Sequence, residues 1–185
     1  MSRNYNIIER IFVLLSVIIL PFISVGCQQS QEPKKEYRIT EEDLINANRA
    51  IVNQDGKTIE RYLADSNMVM TKTNTGLWYR INEKGSGANA KVGQTVAIKY
   101  NVKLLDGTEC YKSDSLGVKV FRLGQGGVES GLEEALLLMK RGGKATFILP
   151  PHLAHGLLGD DNKIPSRAIL RYDLTVADLA NSQDK

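Results

Sequence analysis

Two segments of the chain, residues 94–105 and 168–178, place an apolar residue at almost every second position. This alternation predicts strands that bury one face and expose the other. Shorter apolar runs bounded by turn residues predict five further strands, at residues 69–72, 77–81, 108–112, 120–123 and 144–149.

Apolar residues recur at helical spacing in two places. Leu132–Met139 predicts a short amphipathic helix that ends at the turn Arg141-Gly142-Gly143. Upstream, Thr40 can cap a helix, and the apolar residues after it predict a helical extension over residues 40–66. Asp55-Gly56 is expected to divide this extension into two short helices.

The pattern contains many strands with one helix among them, and strands and helices do not alternate. This predicts an antiparallel α+β domain over residues 67–180, followed by a short tail at 181–185. Around that helix, residues 123–156 run through a Gly-rich turn, the helix, a Gly-Gly turn, a strand and a Pro-Pro break. No nucleophile stands there beside a base. The pattern therefore favours a shaped apolar pocket over covalent chemistry.

The first 26 residues have the pattern of a signal peptide, because an apolar run over residues 11–25 follows Arg3 and Arg10. The run is short for a membrane-spanning helix. Ser24-Val25-Gly26-Cys27 resembles the bacterial lipoprotein cleavage box, although Ser24 stands where that box usually has Leu. This predicts lipidation of Cys27 and a polar, lipid-anchored linker over residues 27–39. An ordinary signal peptide with an incidental cysteine is the alternative.

Charge and cysteine content narrow the function classes. Without Arg3, Glu9 and Arg10, 22 basic and 20 acidic residues remain, and this balance gives no reason to expect a nucleic-acid partner. Cys110 is the only cysteine besides Cys27, so a lipidated Cys27 leaves it without a disulfide partner. Cys110 is expected to be a buried free thiol that packs as a small apolar residue.

Seven segments of the chain stand in a characteristic order: Val92–Thr108, Phe121–Gly124, Val128–Ala135, Met139–Thr146, His155–Gly159, Ile164-Pro165 and Leu170–Leu174. Together they resemble the FKBP-type peptidyl-prolyl cis-trans isomerases, over residues 68–180. The resemblance implies a twisted antiparallel half-barrel sheet wrapped over one short helix. It also implies non-covalent isomerisation of X-Pro bonds, with no cofactor and no metal.

The resemblance further implies a proline pocket. Tyr100 matches the pocket tyrosine of the family, and Tyr172 stands where the family has a pocket-wall phenylalanine. The backbone amide of Glu129 is expected to bind a substrate carbonyl, so that its side-chain identity need not matter. Three apolar pocket positions also match, at Phe121, Val128 and Ile164.

Several positions depart from the family pattern. Cys110-Tyr111 stands where the family has a Phe-Asp pair, and Leu132 replaces the tryptophan that usually floors the pocket. His155 replaces a tyrosine whose hydroxyl contacts ligand, and Asp160 lies near where some members have His. A missing carboxylate and an emptier floor predict weaker catalysis, or a changed preference for the residue before proline.

Other motifs fit established sites poorly. His152 and His155 lack the further ligands of a metal site, so incidental loop histidines are the favoured interpretation. Gly124-Gln125-Gly126 has Glu129 where a dinucleotide-binding loop requires its third glycine. Lys144 is followed by Ala145, where a phosphate-binding loop has Ser or Thr.

These patterns predict an isomerase that assists the folding of exported proteins. Its partners would be proline-containing unfolded or exported polypeptides, and it would be lipid-anchored in the cell envelope, facing the periplasm or the exterior. The alternative is a catalytically weak or inactive proline-binding chaperone or assembly factor with the same domain. A third possibility gives the main role to the helical extension, which we expect instead to pack mostly on the domain.

Overall fold

A computed structural model describes residues 38–181, and the predicted signal peptide, Cys27 and most of the linker lie outside them. The elements in chain order are α1 (Glu41–Asp65), β1 (Thr71–Lys72), β2 (Trp78–Glu83), β3 (Ser86–Asn89), β4 (Thr95–Leu104), β5 (Glu109–Lys112), α2 (Ser113–Leu116), β6 (Lys119–Arg122), α3 (Ser130–Leu137), β7 (Lys140–Arg141), β8 (Lys144–Leu149), a 3-10 turn (Pro151–Leu153) and β9 (Leu170–Ala180). No helix in residues 38–181 combines the length and apolar character needed to cross a membrane.

The main sheet has seven strands, in the order β1-β2-β8-β9-β4-β5, with β6 also pairing with β4, and every pairing is antiparallel. A second small sheet joins β3 to β7. The antiparallel α+β half-barrel prediction is therefore confirmed. β3 lies between β2 and β4, in a segment where the sequence pattern predicts no strand.

One edge of β4 is shared between two strands. Residues 95–98 pair with β6, whereas residues 101–103 pair with β5. Tyr100 lies at the gap between these pairings, and its backbone N–H donates to the Ser113 hydroxyl at 3.2 Å. The sheet is thus open beside Tyr100, and α2 covers the opening.

The sheet buries both of its faces over part of its area, because successive residues of a strand point to opposite sides. On β8, Phe147 and Leu149 face the main core, which includes Leu132 and Leu136 of α3. Ile148 faces the other way and packs with Ile59 and Leu63 of α1, together with partly buried Trp78. Helix α1 therefore packs on the domain as expected, through its second half.

The prediction that Asp55-Gly56 divides the extension into two helices is wrong, because α1 is continuous from Glu41 to Asp65. Thr40 caps it through a capping box with Asp43. The Asp55 carboxylate accepts a hydrogen bond from Arg167 at 2.9 Å, with 10% of the Asp55 side chain exposed. Arg167, which is distant in the sequence, thus donates a hydrogen bond to the Asp55 carboxylate. Local sequence rules treat this aspartate and the glycine after it as a helix break.

Candidate functional site

A cavity of about 220 Å³ opens beside Tyr100, at the gap in the pairing of β4. Tyr100 and Val102 come from β4, and Tyr111 and Tyr172 come from the neighbouring strands β5 and β9. Val102 is paired with Tyr111 on one side and with Tyr172 on the other, so these three side chains share one face of the sheet. Eight residues line the cavity: Tyr100, Val102, Tyr111, Leu116, Lys119, Glu129, His155 and Tyr172.

A second cavity, of about 340 Å³, adjoins the first. The two share Lys119, Glu129 and His155 in their walls. The remaining lining residues of the second cavity are Gly127, Val128 and Ala154. Its wall therefore comes from the turn before α3 and from the loop that follows the 3-10 turn.

Glu129 places a carboxylate in this shared wall, with 11% of its side chain exposed. The Tyr172 phenol donates to Glu129 Oε1, with 2.5 Å between the oxygens, and His155 Nε2 lies 3.0 Å from the same atom. Burial opposes ionisation, yet the hydrogen bond from Tyr172 leads the contacts that lower the pKa of Glu129. Burial and the Glu129 charge raise the pKa of Tyr172 well above its usual range, so the phenol stays a donor.

Tyr111 is held by the loop between the 3-10 turn and β9. Its hydroxyl donates to Asp160 Oδ2, and the Asn162 side-chain amide donates to Tyr111 Oη at 3.2 Å. The Asp160 carboxylate also accepts from the backbone N–H of Ile164 at 2.7 Å. Burial acts to raise the pKa of Asp160, but the hydrogen bonds from Tyr111 and from backbone amides lower it overall. An acid thus stands near Tyr111, although it comes from a different part of the chain than in the family pattern.

The structure brings together five of the nine sequence-predicted site residues in the smaller cavity, namely Tyr100, Tyr111, Glu129, His155 and Tyr172. Val128 lines the second cavity. Of the other three predicted residues, Leu132 and Ile164 belong to the hydrophobic core and are only 1% and 3% exposed, whereas Phe121 is partly buried and packs against that core.

Sequence reasoning missed three residues of the smaller cavity, Val102, Leu116 and Lys119. Val102 could have been found from the strand pattern, because it shares the alternation of Tyr100. Sequence reasoning also gave Glu129 a role only through its backbone amide, whereas its carboxylate lies in the cavity wall.

The two histidines do not converge. His152 Nε2 lies 2.9 Å from the Thr75 carbonyl oxygen, whereas His155 contacts Glu129. Across residues 38–181, no group of three or more His, Cys, Asp or Glu side chains is arranged to hold a metal ion. Cys110 is buried, and burial raises the pKa of its thiol.

Comparison with known proteins gives a consistent picture. The family model described as FKBP-type peptidyl-prolyl cis-trans isomerase matches residues 87–177. A probable FKBP-type peptidyl-prolyl cis-trans isomerase of Haemophilus influenzae is 30% identical over 169 residues, which cover 87% of this chain and 69% of that protein. The isomerase FkpA of Escherichia coli K12 is 36% identical over 125 residues, which cover 67% of this chain and 45% of FkpA.

Solved structures agree at the level of the fold. The crystal structure of Escherichia coli FkpA superposes with a TM-score of 0.62 at 24% identity, over 98% of this chain and 75% of that one. The crystal structure of AtFKBP13 gives a TM-score of 0.58 at 29% identity, over 60% of this chain and 99% of that one. The chain belongs to the FKBP-type peptidyl-prolyl cis-trans isomerase family of enzymes.

Proposed function

We propose that this chain catalyses cis–trans isomerisation of X-Pro bonds in exported polypeptides, in the cavity beside Tyr100. The observation that carries the proposal is the cavity itself, in which Tyr100, Val102 and Tyr172 form a largely apolar wall of a size suited to one ring. Family membership supports the reaction type.

The reaction needs no covalent step. Amide resonance sets a rotation barrier of roughly 18–20 kcal/mol, and X-Pro bonds exchange over tens to hundreds of seconds. A twisted amide has lost its resonance and is less polar than a planar one. An apolar wall that excludes water therefore stabilises the twisted transition state relative to the bound ground state.

Positioning of the substrate backbone supplies the second contribution. Tyr100 lines the cavity, and its hydroxyl has no hydrogen-bond partner within residues 38–181, so we expect it to bind a substrate carbonyl. Holding one carbonyl while the proline ring stays in the cavity restricts rotation to the bond between them.

The test is a refolding assay in which proline isomerisation limits the rate, with the full-length chain added at micromolar concentration. Acceleration that Tyr100→Leu reduces several-fold, and Tyr79→Leu does not, supports the proposal. Tyr79 lies on β2 and is partly buried against the core, but it does not line the cavity. No acceleration by the unchanged protein contradicts catalysis.

A second candidate is a binder of proline segments with weak or absent catalysis. Two features of the wall favour it. Tyr111 stands where the family has a carboxylate, and Glu129 places a charged side chain in the cavity. Tight binding of a proline peptide, measured by fluorescence anisotropy, without acceleration of refolding identifies this case.

The proposed setting is the cell envelope outside the cytoplasm, with the domain anchored through a lipid on Cys27. The basis is the sequence pattern of residues 1–27. Expression of the full-length chain and of Cys27→Ser in a bacterial host, followed by membrane fractionation and mass spectrometry, tests it. A diacylated Cys27 peptide that Cys27→Ser lacks supports the anchor, and an unmodified Cys27 in the mature protein contradicts it.

A further inference from the structure

The cavity wall contains a fixed negative charge. Oε1 of Glu129 is held by Tyr172 and His155, at 2.5 Å and 3.0 Å. Oε2 is buried and has no hydrogen-bond partner among residues 38–181. A desolvated carboxylate oxygen without a partner is unfavourable, so a ligand that brings a cation close to Glu129 gains more than it would in water.

The lysine side chains near the two cavities are less restrained than the Glu129 carboxylate. Lys119 lines both cavities but forms no ion pair within 4.0 Å in the part of the chain that the structure describes. Lys163 is exposed and lies over the Tyr111 ring, with Nζ 5.5 Å from the ring centre. A lysine ammonium is strongly hydrated on a flexible stem. An incoming cation can therefore displace Lys119, whereas Glu129 cannot leave the wall without breaking its contact with Tyr172.

A second carboxylate, that of Asp160, adds to the negative electrostatic potential that Glu129 creates. It lies on the Tyr111 side of the smaller cavity and accepts the Tyr111 hydroxyl. His155, between the two cavities, is already engaged with Glu129. The carboxylates of Glu129 and Asp160 are thus held by hydrogen bonds, whereas the ammonium groups of Lys119 and Lys163 form none within residues 38–181.

The arrangement of the two cavities indicates where a substrate charge would lie. A proline ring suits the smaller cavity, which contains the apolar faces of Tyr100, Val102 and Tyr172. The side chain of a residue next to that proline then reaches the adjoining cavity, and Glu129 stands in the wall between them.

We propose that Glu129 makes this site selective for prolyl segments in which lysine or arginine adjoins the proline. The proposal rests on the proposed function, since it names the substrate class of the same cavity. An acidic residue in that position is disfavoured, because it meets the Glu129 charge in a poorly solvated wall.

The experiment compares kcat/KM of the full-length chain on matched short peptides that differ only beside the proline. The peptides carry Lys, Arg, Leu or Glu before the proline, and a further peptide carries Lys after it. The proteins are the unchanged chain, Glu129→Gln, Glu129→Leu and the control Glu134→Gln. Glu134 lies on α3, the helix that begins directly after Glu129, but it accepts hydrogen bonds from Thr75 and lines neither cavity.

We expect the ratio of kcat/KM for the Lys peptide to that for the Leu peptide to fall about tenfold in Glu129→Gln and Glu129→Leu. The change is expected mainly in KM, because the charge binds the ground state and the transition state alike. Glu134→Gln is expected to keep the ratio of the unchanged chain. An equal ratio in all four proteins, with all of them folded by circular dichroism, overturns the proposal.

Peptide binding separates this proposal from the proposed function. If no peptide is isomerised, fluorescence anisotropy with the same peptides still measures the preference. Tighter binding of the Lys peptide that both Glu129 variants abolish supports charge selection without catalysis. Equal binding of the Lys, Leu and Glu peptides by the unchanged chain overturns it.

Discussion

Tyr172 on β9 donates its phenolic hydrogen to the carboxylate of Glu129 at the start of α3, with 2.5 Å between the oxygens. This contact ties β9 to the residue that directly precedes α3. It also keeps a carboxylate in the cavity wall, where the family resemblance implies a role only for the backbone amide of Glu129.

Replacing Tyr172 with Phe removes this donor and leaves the buried carboxylate with His155 alone. We expect the free energy of unfolding to fall by about 1–3 kcal/mol, because a buried acceptor loses its partner. The pKa of Glu129 is expected to rise, since the Tyr172 hydrogen bond is the foremost contact that lowers it. Urea denaturation measures the first effect, and carboxyl chemical shifts followed through a pH titration measure the second.

The matched control is Tyr79→Phe, whose hydroxyl has no hydrogen-bond partner within residues 38–181. It is expected to change stability by no more than about 0.5 kcal/mol. A loss of the same size in both variants would mean that the Tyr172 hydroxyl contributes nothing specific.

Asp160→Asn is expected to destabilise the protein in a pH-dependent way. The folded protein lowers the pKa of Asp160 below its ordinary value of 3.8, through hydrogen bonds that outweigh burial. The ionised form therefore stabilises the fold at pH above 3.8, and this contribution disappears as the pH falls through the lower folded pKa. We expect a difference of about 1 kcal/mol at neutral pH, modest because the carboxylate is partly exposed.

Urea denaturation of the unchanged chain and of Asp160→Asn between pH 7 and pH 2.5 measures this difference. The two curves should converge at the acidic end. The control Asp161→Asn removes an exposed carboxylate from the same loop and should leave the pH profile close to that of the unchanged chain. Parallel curves for Asp160→Asn would contradict the assigned role.

The ion pair between Asp55 and Arg167 is expected to stabilise the protein measurably. A double-mutant cycle with Asp55→Asn and Arg167→Gln isolates it, and we expect a coupling free energy of about 1 kcal/mol. Asp55 is buried, whereas 41% of the Arg167 side chain is exposed. The pair is therefore intermediate between a surface ion pair and a fully buried one.

The exposed pair of Lys72 and Glu60, at 3.9 Å, is the control for that cycle. Its coupling is expected to lie below about 0.5 kcal/mol. Equal coupling free energies for the two pairs would show that burial of Asp55 adds nothing.

Two helical glycines should respond in opposite directions to alanine. At Gly56, a Cβ would meet only the flexible end of Lys72 at 3.6 Å, so Gly56→Ala is expected to stabilise α1 by about 0.5–1 kcal/mol. At Gly131, a Cβ would lie 2.7 Å from the Leu153 carbonyl oxygen and 2.9 Å from Leu149. Gly131→Ala is therefore expected to destabilise the fold by about 1–3 kcal/mol.

Thermal unfolding of the two alanine variants beside the unchanged chain decides the matter. A rise in Tm for Gly56→Ala and a fall for Gly131→Ala are expected. Shifts of the same sign would contradict the packing described around one of the two glycines.

The sequence predicted the parts of this molecule that depend on local pattern. The alternation in residues 94–105 and 168–178 identified β4 and β9, because each buries one face. The continuity of α1 was not predicted, because Asp55 is satisfied by Arg167, 112 residues later in the chain. Local rules for a helix break contain no information about such a partner.

The same reasoning applies to the site. The family resemblance identified Tyr100 and Tyr172, since their strands carry recognisable motifs. The direction of the Glu129 side chain was not predictable, because it depends on donors from β9 and from the loop at His155. The contact of Tyr111 with Asp160, 49 residues away, was missed for the same reason.

The pairing of β4 with β9 also has a consequence for the order of assembly. Tyr100 lies on β4 and Tyr172 on β9. The pairing of these strands begins where Thr95 faces Ala180 and ends where Leu104 faces Leu170, so it joins residues that are far apart in the chain. Closing such long loops loses chain entropy before any contact is gained, and it makes folding slow compared with helix formation. Helices can therefore appear early in folding, while substrate binding should return only when β9 has docked. The rate at which peptide binding returns during refolding would then measure the rate of the final folding step.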